Sequence, residues 1–237
     1  MPKIRRKTLV GAQMYGLLLG GSFDYFDDST PAPVIPSFIS GVTVTYAVRT
    51  NTAYNGLSSI QNGDNIYIYH EIGGSTGSVP VPTTPAGFSL QAGYPLTRSD
   101  GGFSVQTYLY KKVASSESGN YTVTHSNTQS TGFAFCIRGG TLDKISTGNG
   151  AAPNSSISGF TVSAANSMVV YLIGGWDLVM ELITPPSNLS FTLRNTPDDS
   201  LLWVGTASGV SGATGNFDSS NLPNAVWAAT AFSLQPS

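Results

Sequence analysis

Charge is scarce in this sequence. Asp, Glu, Lys and Arg make up 10% of its 237 residues, and the formal net charge is −2; ordinary soluble domains carry roughly 25% charged residues. A chain so nearly neutral projects no field that gathers polyanions, so no nucleic-acid partner is expected. A single cysteine, Cys136, excludes an internal disulfide framework. It lies in the apolar run 133–137 and reads as a small buried hydrophobe. Only two histidines, His70 and His125, are present, and neither stands in a metal-ligand spacing. There is no nucleophile elbow and no phosphate-binding loop. No apolar stretch reaches the ~20 residues that a membrane-crossing helix needs. Helix-period patterns are absent from residue 41 onward. No internal sequence repeat is evident, which excludes propellers and solenoids.

What is present is a strand vocabulary. Hydrophobic residues reach 40%, so the disorder signature of low hydrophobicity with high charge does not apply. Period-two alternation marks strands over 42–48, 66–69, 103–113, 121–124 and 132–137. In 103–113, Phe103, Val105 and Leu109 share one face with Thr107, while Tyr108 and Tyr110 line the other. The continuous apolar run 167–173 suits a central strand buried on both faces. Further strands are expected over 189–193, 201–204 and 226–234. Nine or ten strands with irregular loops predict an all-β fold, a single jelly-roll-like antiparallel β-sandwich spanning 41–237 with an extended N-terminal arm.

The arm is read from its charge. Four of the eleven basic residues stand at Lys3, Arg5, Arg6 and Lys7, ahead of the largely apolar stretch 8–20 that holds Leu9, Leu17, Leu18 and Leu19. A basic tip before an apolar run outlines a secretory signal, and Arg5-Arg6 suggests its twin-arginine form. Gln13 interrupts the run, however, and no small-x-small cleavage site precedes Phe23-Asp24-Tyr25. Residues 1–30 are therefore expected to be retained as a docking arm, with those eight basic and leucine residues as its contacts and order imposed by whatever it binds. Residues 31–40, with Pro31, Pro33 and Pro36, read as a semi-rigid connector. Asp24, Asp27 and Asp28 lack the regular spacing of a calcium loop.

Chemistry-bearing residues are few and each has a plain structural reading. His70 abuts Glu71, but neighbours on a strand point to opposite faces. The stretch 73–77, Gly-Gly-Ser-Thr-Gly, leads into prolines rather than a helix, so it is a loop. Asp100, Asp143, Asp177 and Glu181 could supply a glycosidase carboxylate pair, but Asp100 belongs to the turn Asp100-Gly101-Gly102 and the others read as solvated loop residues. No catalytic residue, cofactor or metal is expected. Tyr67, Tyr69, Tyr108 and Tyr110 read as packing residues, as do Trp203 and Trp227. Trp176, beside Asp177 in a Gly-rich stretch, is the candidate for stacking on a glycan. Asn-x-Ser/Thr sequons begin at Asn120, Asn154 and Asn188 and would matter only in a eukaryotic secretory route.

The order of these features carries a resemblance. The segments GDNIYIYHEI (63–72), PVPTTPAGFSL (80–90), FSVQTYLYKKVASSESGNYTVTHS (103–126), FAFCIRGG (133–140), SMVVYLIGG (167–175) and AVWAATAFSLQP (225–236) resemble a family of small virion-associated β-sandwich proteins of bacteriophages, over roughly 41–237. The resemblance implies a tail, fibre or capsid-decoration component without known catalysis, located in the virion after assembly in the bacterial cytoplasm. Its partners would be other virion proteins reached through residues 1–30, together with further copies of itself, a trimer by analogy with fibres. The alternative expectation is a carbohydrate-binding adhesin module that recognises a host-surface glycan, with no membrane partner in either case.

Overall fold

The structure, a computed structural model, describes residues 32–151, 154–176, 186–195, 202–220 and 226–237. The arm, with Lys3, Arg5, Arg6, Lys7, Leu9, Leu17, Leu18 and Leu19, lies outside the described residues, as do Asp177 and the side chain of Trp176. The strands belong to one unit, Pro33–Ser237. In chain order they are β1 (Ser37–Asn55), β2 (Asn65–Ser75), β3 (Ser89–Leu90), β4 (Leu96–Asp100), β5 (Phe103–Val113), β6 (Asn120–Arg138), β7 (Thr141–Ala151), β8 (Ser155–Ile157), β9 (Ser167–Trp176), β10 (Thr192–Leu193), β11 (Leu202–Val210), β12 (Phe217–Ser219) and β13 (Val226–Gln235). The fold is all-β and its ladders are antiparallel. No helix among the described residues is long and apolar enough to cross a membrane.

The strands fall into two large sheets with one connectivity used twice, and a separate two-stranded sheet, β8·β12. The first sheet runs β1-β6-β2-β5, with β3 and β4 both on β5; the second, read from its other edge, runs β7-β13-β9-β11-β10. In each half of the chain the fourth long strand is inserted between the first and the second, and the third flanks the second. In each, a short strand just ahead of the third pairs with that strand's outer edge. The sequence shows no repeat, so the duplication is one of topology alone. The chain leaves the first sheet for the second once, at Gly139-Gly140, whose φ values of +69° and +81° lie where only glycine is unstrained. Asn65 Nδ2 donates to both glycine carbonyls, at 3.3 and 3.0 Å, and fixes that corner. One crossing departs from the expected jelly-roll-like connectivity, in which successive strands are shared between the sheets. Here each sheet is closed within its own half.

Three apolar clusters hold the layers. Between the sheets, Tyr67, Phe133 and Phe135 of the first meet Val170, Leu172 and Phe232 of the second. Tyr67 lies 5.2 Å from the Phe135 ring and 5.0 Å from that of Phe232. Each such side chain, fully buried, contributes about 1.5–3 kcal/mol. The two outer faces are also covered. On the first sheet Ile66, Ile68, Tyr108, Tyr110 and Cys136 lie beneath Tyr54, Tyr121 and Val123, which come from the distal part of the β1·β6 ribbon, 51–55 paired with 120–124. On the second, Val169, Tyr171, Trp203 and Trp227 lie with Ile157 and Phe217 of the separate β8·β12 pair.

This arrangement explains which strand expectations held. β5 spans the expected residues, and β9 is central and buried on both faces, as its apolar run required. The four tyrosines and both tryptophans of the strands are buried. The expected strands 121–124 and 132–137 are one strand, β6, continuous through the polar stretch 126–131. β1 starts at Ser37, inside the stretch read as connector. β7 was not foreseen. As an edge strand that pairs only with β13, it carries a half-exposed sequence with Gly148, Asn149 and Gly150 that mimics a loop.

Candidate functional site

The outer lid of the first sheet is fastened by polar groups. Thr52 and Tyr54 alternate inward on β1, His125 on β6, and His70 rises from β2 beneath them. His125 Nδ1 lies 2.9 Å from the Ser126 carbonyl, which can only accept. The proton is therefore on Nδ1, and His125 Nε2 accepts from the Thr52 hydroxyl at 2.9 Å. Thr52 Oγ1 in turn accepts from Ser130 Oγ at 2.8 Å. The Tyr54 hydroxyl sits 2.9 Å from His70 Nδ1, and the two imidazoles lie 5.4 Å apart. Burial, with His125 and Arg49 nearby, pushes His70 down to about 3. Burial likewise lowers His125, against the Ser126 hydrogen bond. Both rings are thus neutral fasteners. A Cβ on Gly132 would overlap the Tyr54 hydroxyl, so glycine there lets the lid seat on the sheet.

Where this lid leaves the sheet, the β1·β6 ladder breaks register between Arg49 and Asn51, and a cleft of about 490 Å3 opens at the break. Val48 of β1, Ser126, Asn127, Thr128 and Gln129 of β6, and Gly73-Gly74-Ser75 at the end of β2 line it, with Ser78, Pro80 and Phe103 on the rim. The Thr128 hydroxyl donates to the Gly73 carbonyl. Ser78 donates to the Ser75 carbonyl through both its N–H and its hydroxyl, each at 2.9 Å. The walls are therefore preformed, and the lining carries amides, hydroxyls and no charge. Such groups donate and accept alike, which suits a neutral polyhydroxylated ligand and avoids the cost of desolvating an ion.

The remaining perturbed groups are structural. Glu71 points between the sheets, opposite His70, and burial pushes it up to about 8 against the Thr107 hydroxyl. A Cβ on Gly174 of the second sheet would overlap its carboxylate, and the cavity beside it is about 10 Å3, too small for a substrate. Cys136 is not paired with a histidine. Its Sγ lies 3.6 Å from Asp64 Oδ2, and burial followed by the Asp64 charge pushes the thiol up to about 12. Asp64 accepts from Arg138 Nε and Nη2, both at 3.1 Å, and from the Gln61 N–H at 2.8 Å. Burial raises this carboxyl, but those bonds outweigh it and hold it below the usual range. Asp143 is occupied by the Ser163 N–H and hydroxyl, at 2.8 and 2.6 Å. Among the described residues no group of three or more His, Cys, Asp and Glu is placed to hold a metal.

The cleft is built from residues that carry no motif in the sequence. Ser126–Gln129 looked like a linker between two strands, and only the register break gives them a common wall. Trp176 ends β9 opposite Val226, and its partner Asp177 lies outside the described residues. No family model, curated protein or solved structure matches the chain.

Proposed function

We propose that the chain is a non-catalytic structural component of a bacteriophage particle, anchored through residues 1–30 and displaying its β body in several copies on the virion. The observation that carries this reading is where positive charge is left over. Of the eleven basic residues, four precede residue 8 and seven belong to 33–237. Six of those seven contact the body itself. Arg138 pairs with Asp64, Lys112 with Glu117 at 2.7 Å and Lys144 with Asp143 at 3.6 Å. Arg49 donates to the Thr45 carbonyl at 2.5 Å. Lys111 and Arg194 lie over the rings of Tyr67 and Phe38. The densest cluster of basic residues in the sequence is Lys3, Arg5, Arg6 and Lys7, beside Leu9 and Leu17-Leu18-Leu19, a composition suited to an acidic surface with an apolar pocket. Deleting residues 2–30 is expected to leave the body folded by circular dichroism yet monomeric in sedimentation and missing from purified particles. Normal incorporation of the deletion variant would sink the anchoring role.

A second reading, a module that binds a host-surface glycan, is favoured by the uncharged cleft at 126–129. Its preformed walls and mixed donors and acceptors are what a neutral sugar requires, and the two readings are compatible on a virion.

A further inference from the structure

The connectivity that builds the cleft at 126–129 occurs a second time, and with it a second cleft. In the first half the cleft lies where the ribbon of first and fourth strands breaks, between Arg49·Thr128 and Asn51·Thr124. Its third wall is the end of the second strand, Gly74 and Ser75, with Ser78 from the chain that follows it. In the second half the matching ribbon is β7·β13, which ends at Ala151·Val226, and its continuation is β8·β12, from Ser155·Ser219 to Ile157·Phe217. A cleft of about 490 Å3 opens at that break too. Asn154 and Ser156 line it from the first-strand side, Asp218 and Ser220 from the fourth-strand side, and Ser187 from the chain that follows the second strand, β9. First-strand side, fourth-strand side and the chain after the second strand contribute wall in both halves, and Phe103 of β5 joins them in the first alone.

The chemistry corresponds in its hydroxyls and an amide, and the second cleft adds one carboxylate, Asp218. Ser155 and Ser219 are turned inward onto the Tyr171 hydroxyl, at 3.5 and 2.9 Å, and form a fixed floor. Ser156 donates to Asp218 Oδ1 at 2.5 Å, which orients the carboxylate at the cleft wall. Among the described residues, amide, hydroxyl and carboxylate oxygens converge there without a cation, a set that recognises vicinal hydroxyls and disfavours an anionic ligand. We infer that the chain carries two topologically equivalent sites for neutral oligosaccharide, one at 126–129 and one at 154–156 with 218–220. The inference rests on the glycan reading of the first cleft. Two sites on one unit of the chain would engage neighbouring segments of a glycan coat together, which raises avidity without any new contact.

The test is nuclear magnetic resonance of the isotope-labelled full chain, titrated separately with maltohexaose, cellohexaose and chitohexaose. The expected result is that one probe shifts the amides of 126–129 and of 154–156 and 218–220, with two molecules bound per chain. Asn127→Ala should weaken the first site by about fivefold and leave the second unchanged, and Asp218→Asn the reverse, the loss of one or two hydrogen bonds being worth that factor. Both altered positions are exposed, so folding is not at stake. Shifts confined to 126–129, with one molecule bound, would overturn the two-site inference and leave the first reading standing. No shift in either cleft with any of the three probes would overturn both.

Discussion

The two halves of the body share a strand order and differ in how each covers its outer face. In the first half the lid is the distal end of β1 and β6 itself, held by Tyr54 on His70 and by Thr52 on His125 and Ser130. In the second it is a separate pair, β8·β12, and the contact beneath is mostly aromatic. Phe217 stacks on Tyr171 at 5.7 Å and Phe160 lies 5.4 Å from Phe217. Topology therefore fixes where a lid must lie, while the groups that fasten it are exchangeable if buried polar atoms are partnered. The halves diverge where this freedom exists and agree where the sheets touch.

The comparison breaks most severely at the cluster the halves share. Phe232→Ala should cost about 3–5 kcal/mol, the usual range for emptying a buried aromatic site, measured by urea denaturation with fluorescence and circular dichroism together. A single transition is expected in both probes, because Phe232 packs against Tyr67 and Phe135 of the other sheet. Two separated transitions would show that the halves fold independently.

The seating of the first lid comes next in size. Gly132→Ala should cost on the order of 2 kcal/mol, since the methyl displaces the Tyr54 hydroxyl from its place above β2. Gly102→Ala, where nothing lies within 4 Å, should change stability by under about 0.5 kcal/mol. Equal effects for the two variants would mean that Tyr54 does not hold the lid.

The smallest effect is in pH dependence, and it separates the polar lid from the inter-sheet face. His70 is pushed from 6.5 down to about 3 on folding, so the unfolded chain binds the extra proton between those values. Its contribution is complete above pH 6.5 and is lost as the pH falls toward 3. Glu71 is pushed from 4.5 up to about 8, so the folded chain holds the extra proton. Its contribution is complete below pH 4.5 and is lost as the pH rises toward 8. From 4.5 to 6.5 the two slopes oppose each other and stability should be nearly level. Outside that window each limb falls by up to ~1.4 kcal/mol per pH unit. Glu71→Gln should flatten the alkaline limb and leave the acid one, and an alkaline limb that persists in that variant would remove Glu71 as its cause.

Much of the strand content was legible residue by residue. The alternation of 103–113 and the apolar run 167–173 could form little else, because a period of two with β-branched and aromatic residues fits only a pleated surface. The burial of Trp203, Trp227 and the four tyrosines followed from the same pattern. The candidate cleft was not legible. Ser126, Asn127, Thr128 and Gln129 are loop-like letters, and their role depends on a ladder slipping between Arg49 and Asn51, which is set by partners more than 70 residues away. The pairing of His70 with His125 was hidden for the same reason, since the two are joined only by the lid folding back over β2.

The sequence by itself determined the all-β class, the central strands and the inertness of Cys136, because each follows from local periodicity and burial propensity. It also determined the concentration of basic residues at positions 3–7. Only the tertiary structure decided that one connectivity is used twice, and that a cleft opens at the same break in each half. Strand order is set by long-range pairing and by which apolar faces can be covered together, and two sequences with no letters in common can satisfy those conditions equally well.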